Sequence, residues 1–137
     1  MSKKIRQGIG PTKKRLTDVL TSAREYHPFR NDDVSLRENI QEIKDKKRSI
    51  MEEQERLERG LKLLRRYNYE WLDLIEARTD LTEEQGLYDS QSSGEGGFLT
   101  VIDATEERLS LLAAWSRELD DELADLKLQD AMEARDR

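Results

Sequence analysis

An all-α fold is predicted here: a long antiparallel helical hairpin or coiled coil with a short N-terminal helix, similar in plan to a three-helix bundle. Three features of the 137-residue chain point to it. Two long segments carry their apolar residues at alternating spacings of four and three, which is the seam of a coiled coil. A Ser/Gly-rich stretch between them gives the chain a place to reverse. The composition is 39% charged and only 6% aromatic, which favours long helices over a thick globular core.

The elements follow in order. Residues 1–11 contain Gly8, Gly10 and Pro11 and are expected to form a flexible basic arm. Residues 12–137 are expected to form a single helical domain. Its first helix, about 12–27, places Leu16, Val19, Leu20, Ala23 and Tyr26 or His27 on one stripe and stops before Pro28, because the residue ahead of a proline avoids the α region. Ser35 and Glu38 have capping-box spacing and start the second helix, about 35–78.

The seam of that helix runs through Leu36, Ile40, Ile43, Lys47, Ile50, Gln54, Leu57, Leu61, Leu64, Asn68, Trp71, Ile75 and Arg78. At 1.5 Å per residue the helix would be roughly 65 Å long, so another long helix must lie against it. Gly60 falls inside it and costs roughly 1 kcal/mol relative to Ala, which allows a bend or a close helix approach. A break is expected near 79–83, with a helical extension to about Tyr88 and a loop over about 89–97. The last helix, about 97–133, carries the seam Phe98, Ile102, Thr105, Leu109, Leu112, Ser116, Leu119, Leu123, Leu126 and Asp130. Leu63, Leu72, Leu74, Val101, Leu111 and Trp115 lie outside the narrow seams and are expected to remain open for association.

The net charge of -6 hides a gradient along the chain. Residues 1–27 have a net charge of +5 and residues 70–137 a net charge of -13. With no cysteine, disulfides, Cys-type zinc sites and thiol nucleophiles are excluded. No apolar run has the ~18 residues that a transmembrane helix needs, and there is no signal-peptide core, so the expected compartment is cytoplasmic or nuclear.

Motifs for chemistry are weak. The Gly94-Glu95-Gly96-Gly97 stretch lacks the Lys-Ser/Thr and the preceding strand of a phosphate loop. His27 is the sole histidine and is read as a helix-end residue. Glu106-Glu107, Asp120-Asp121-Glu122 and Asp125 are read as a solvated acidic face, since no Glu-x-x-His partner accompanies them. No catalytic, metal or cofactor-binding residue is assigned, and the protein is expected not to be an enzyme. The expected interface residues are Leu57, Leu61, Leu64, Trp71, Ile75, Phe98, Ile102, Leu109, Leu112, Trp115 and Leu119. A polyanion contact, the alternative, would use Lys3, Lys4, Arg6, Lys13, Lys14 and Arg15.

The order of segments carries a resemblance. A basic stretch leads into Leu16-Thr17-Asp18-Val19-Leu20-Thr21-Ser22-Ala23-Arg24-Glu25, the long helix closes with Trp71-Leu72-Asp73-Leu74-Ile75-Glu76, and an acidic stretch precedes Gly97-Phe98-Leu99-Thr100-Val101-Ile102. This arrangement resembles the N-terminal helical region of Gag-like polyproteins of Bel/Pao-class long-terminal-repeat retrotransposons. The resemblance implies a self-associating or scaffold segment ahead of a capsid, with no catalytic residue to carry over. The expected partner is therefore a second copy, most simply as a homodimer, or another helical protein. Nucleic acid or an anionic membrane, reached through the basic arm, is the alternative.

Overall fold

The computed structural model describes residues 1–77 and 82–136. Four helices account for most of them: α1 (Lys3–Thr21), α2 (Leu36–Glu76), α3 (Thr82–Ser92) and α4 (Phe98–Arg135). No strand occurs among the described residues. The chain divides into two compact units, where the sequence suggested one helical domain. The first unit comprises Met1–Ala23 and Glu55–Leu109, and the second Arg24–Gln54 and Ser110–Arg137.

In the first unit, α1 packs on α2 through two close approaches. Gly8 lies against the Tyr67 ring, and Leu16 fills the space that a side chain at Gly60 would occupy. Ile9, Thr12 and Leu16 are buried on the inner face of α1. The flexible arm expected over residues 1–11 is therefore corrected, since α1 begins at Lys3 and runs through Pro11. Local propensity favours a break there, but buried Ser2, Ile9 and Thr12 tie the segment down along its length. Tertiary burial outweighs propensity here.

The end of α1 is also corrected, from about 27 to Thr21. The Thr21 hydroxyl donates to the Thr17 carbonyl at 2.7 Å, and Ser22 Oγ donates to the Asp18 carbonyl at 2.9 Å. These hydroxyls bond back to carbonyls one turn earlier, as Ser and Thr do where a helix ends.

Between α3 and α4 the chain turns in five residues. α3 continues to Ser92, so the loop is 93–97 and not the expected 89–97. Serine-rich composition suggested a loop, yet Ser90 and Ser93 donate to the Leu87 and Asp89 carbonyls, and Tyr88 and Ser92 are buried. Gly94 and Gly96 have φ of +80° and +81°, a conformation that glycine adopts without steric cost. The core of this unit gathers Leu57, Leu61, Leu64, Trp71 and Ile75 of α2 with Tyr88, Phe98, Val101 and Ile102. Trp71 meets Tyr88 edge-on at 5.2 Å and stacks on Phe98 at 6.1 Å. Arg65 pairs with Glu106 on the surface.

In the second unit, residues 24–35 lie along α2 without regular structure. Tyr26 and Phe29 are buried. Asn31 and Asn39 exchange two hydrogen bonds, 2.8 Å from the Asn31 N–H to Asn39 Oδ1 and 2.9 Å from Asn39 Nδ2 to the Asn31 carbonyl. Lys46 donates to the Pro28 carbonyl at 2.8 Å. Ser35 caps α2 as expected, accepting the Glu38 N–H at 3.2 Å. Ile43 and Ile50 of α2 are buried in the same core as Leu112, Trp115, Leu119 and Leu126 of α4. Lys47 pairs with Asp120 and Arg37 with Asp130, so α2 and α4 run in opposite directions within this unit.

Every described seam position of α2 and α4 is buried or half-buried. Arg78 and most of the expected break at 79–83 lie outside the described residues.

Two glycine substitutions should separate packing from propensity. Gly86 has open space around it, so Gly86→Ala should stabilise by up to about 1 kcal/mol. A Cβ at Gly60 would stand 2.5 Å from Leu16 Cδ2, and Leu16 is buried. Gly60→Ala should therefore destabilise by about 1 kcal/mol, because overpacking costs about 1–3 kcal/mol against the propensity gain. Urea denaturation of both variants checks the opposite signs.

Candidate interaction surface

The sequence-nominated interface residues occupy the interior. Leu57, Leu61, Leu64, Trp71, Ile75, Phe98, Ile102, Leu112, Trp115 and Leu119 are buried, and Leu109 is half-buried. Each is packed inside its own unit, so in this fold they are not open to a second molecule. Val101 and Trp115, expected to be open, are covered. Tyr26 meets Trp115 edge-on at 5.6 Å, and His27 does so at 5.7 Å. The segment 24–35 supplies this cover, and its aromatic residues have no helical period to announce it. Leu72 and Leu111 remain exposed, as expected, and Leu63 and Leu74 are half-buried.

The basic residues belong to a helix rather than to an arm. Lys3, Lys4, Lys14 and Arg15 are exposed. Arg6 Nε donates to Ser2 Oγ at 3.0 Å, and Lys13 Nζ donates to the Gly96 carbonyl at 2.9 Å. The Gly-rich loop thus offers a carbonyl to a lysine, the reverse of a phosphate cradle. His27 is not at a helix end, as the sequence suggested. It sits in the irregular segment, 3.4 Å from Glu118. Among the acidic residues of α4, Asp120 pairs with Lys47, and Glu122 stands 3.6 Å from Arg30, too far for a hydrogen bond. No cluster of three or more His, Asp or Glu side chains fit to hold a metal ion occurs among the described residues.

The best-formed surface feature lies in the first unit, where α1 and α2 leave a groove of about 250 Å³. Thr12, Arg15, Leu16, Asp18 and Val19 line it from α1, and Arg56, Arg59, Gly60 and Leu63 from α2. Steps of three and four put these residues on one face of each helix. Leu16, Val19 and Leu63 form an apolar floor, and Gly60 allows the two helices to approach closely enough to build it. Three arginines and one aspartate make the rim. Arg59 is held by Glu55 at 3.1 Å, and Arg15 leans on Thr12 Oγ1 at 3.5 Å. Arg56 has no ion-pair partner among the described residues. The groove combines apolar area with a cationic edge, a chemistry that suits an amphipathic and acidic segment. Sequence reading missed it because it grouped Arg15 with the basic residues of a polyanion contact and never placed Arg56 and Arg59 beside it.

A second polar assembly anchors α1 in the same unit. Glu84 accepts the Trp71 indole N–H at 3.2 Å and the Ser2 backbone N–H at 3.5 Å. Hydrogen bonding from the Ser2 side chain is the largest influence on its carboxyl and holds it below its ordinary value, with the indole N–H acting in the same direction and desolvation opposing. Tyr88 donates to Asn68 Oδ1 at 2.6 Å, and burial raises its phenol above the ordinary range.

Comparison with known proteins yields no relative: no protein family, no curated protein and no solved structure matches the chain.

Glu84 predicts a pH dependence. Its folded pKa is depressed, so its contribution to stability is complete above its ordinary value of 4.5 and is lost as pH falls through the lower folded value. Glu84→Gln should reduce stability by about 1 kcal/mol at neutral pH, and the difference should vanish in stronger acid. Urea midpoints of both proteins across a pH series test this.

Proposed function

We propose that this protein is a non-enzymatic helical interaction or scaffold module that self-associates or docks on another helical protein. In this reading α2 and α4 fold as one long antiparallel hairpin, with α1 packed beside it. The observation that carries the proposal is the apolar, arginine-rimmed groove between α1 and α2, an open surface with the chemistry of a helix-docking site. The described helices spend their apolar registers on internal packing, which leaves recognition to this groove and to exposed residues such as Tyr69, Leu72, Leu111, Leu128 and Met132. Descent from a Gag-like N-terminal region forms part of the proposal and rests on the segment order of the sequence alone.

A second reading is favoured by one observation. Lys3, Lys4, Lys14 and Arg15 are exposed on the outer side of α1, interrupted by Asp18. Such a face could tether the protein to nucleic acid or to an anionic membrane through counterion release or surface potential. None of the helices among the described residues is long and apolar enough to cross a membrane.

Sedimentation in low and moderate salt distinguishes the readings. Association through apolar contacts should persist as salt rises, whereas polyanion capture should weaken steeply. Replacing Lys3, Lys4, Lys14 and Arg15 with Gln should leave affinity for RNA, DNA and anionic vesicles unchanged under the first reading and abolish it under the second.

A further inference from the structure

We propose that the α1–α2 groove of one molecule receives the outer face of the α4 C-terminal turns of a second copy of this chain, an inference that rests on the self-association reading above. In the second unit, Asp121, Asp125, Leu128, Met132 and Arg135 follow one another at spacings of four, three, four and three. They therefore lie on one stripe of α4, and all five are exposed. Leu128 and Met132 are 62% and 58% exposed, adjacent by one helical turn, and unlike the inner seam they pack on nothing that would remove them from water. From Ala131 to Asp136 every residue of the chain is exposed.

The two surfaces are complementary in shape and charge. The groove offers about 250 Å³ over Leu16, Val19 and Leu63, ample for aliphatic side chains when a ~150 Å³ cavity already holds benzene. Its rim presents Arg15, Arg56 and Arg59 to a helix end in which residues 118–136 carry eight acidic groups against Lys127 and Arg135. The single acid of the lining, Asp18, has its counterpart in the single base of the stripe, Arg135. Apolar contact supplies affinity, and the charges set orientation and exclude other registers. A hydrophobic pair covered by the groove would also remove an exposed patch that the free helix end presents.

The test uses the full chain. Sedimentation velocity should show concentration-dependent association of the wild type. The double variant Leu128→Asp, Met132→Asp should raise the dissociation constant at least tenfold with unchanged circular dichroism, since both side chains are exposed. Arg56→Glu with Arg59→Glu, and separately Asp121→Arg with Asp125→Arg, should each weaken association, and mixing these two proteins should restore it. The chain has no cysteine, so equimolar Val19→Cys and Met132→Cys proteins, mixed and oxidised, report directly on proximity. Peptide mapping should place the bridge between positions 19 and 132. Wild-type association that none of these variants alters, or a bridge only between like positions, would overturn this contact while leaving self-association standing. A wild type that is monomeric at high micromolar concentration overturns both readings. A monomer that instead binds an added acidic amphipathic peptide overturns the second-copy assignment and keeps the groove as a docking site.

Discussion

The 41 residues of α2 carry most of their apolar side chains on one stripe, and that stripe has to be covered along its whole length. A single helix has no interior, and hydrophobic burial is the main favourable term available to so charged a chain. Everything else in the structure is arranged as cover. In the first unit α1, α3 and the start of α4 close over Leu57 to Ile75, with Trp71 wholly buried between Tyr88 and Phe98. In the second unit the irregular segment 24–35 and the later part of α4 close over Ile43 and Ile50. The irregular segment does this with Tyr26 and Phe29, fixed by the Asn31–Asn39 exchange.

Polar groups on the seam are resolved rather than tolerated. Lys47 reaches Asp120, and Asn68 accepts the Tyr88 hydroxyl. Thr105, fully buried on α4, donates back to the Val101 carbonyl at 2.7 Å. Thr105 is satisfied within its own helix, whereas the Lys47–Asp120 and Asn68–Tyr88 pairings span two elements and would part if those elements slid by a turn. Glu53 is handled similarly, accepting the Tyr26 hydroxyl at 3.3 Å, and burial followed by the Glu53 charge raises the Tyr26 phenol above its ordinary range. Specificity of alignment thus comes from a few polar contacts laid over a repetitive apolar pattern that would by itself accept several registers.

The open groove of the first unit depends on how closely α1 packs against α2. Gly8 and Gly60 let α1 and α2 approach closely, and that approach creates a floor of Leu16, Val19 and Leu63 within reach of three guanidinium groups. Without the glycines the helices would stand further apart and the groove would be a wider, wetter channel. The same contact turns a basic stretch that has every mark of a free tail into a fixed charged face.

The sequence by itself determined the helical class, the two four-three registers, the Ser35 cap and the glycine turn at Gly94–Gly97. These depend on periodicity and on local chemistry, which need no knowledge of distant residues. Burial at every described seam position follows from the same periodicity. Tertiary structure decided the rest. Residues 3–11 are helical because Ile9 and Thr12 find a buried surface on a partner helix, which outweighs Gly8, Gly10 and Pro11. Trp115 is covered because a segment without helical period brings Tyr26 and His27 over it. Arg15, Arg56 and Arg59 share one groove because two helices pack antiparallel, bringing together residues more than forty positions apart. Neither residue type nor spacing encodes a contact of that range, since side-chain neighbours across an interface are fixed only when the backbones meet.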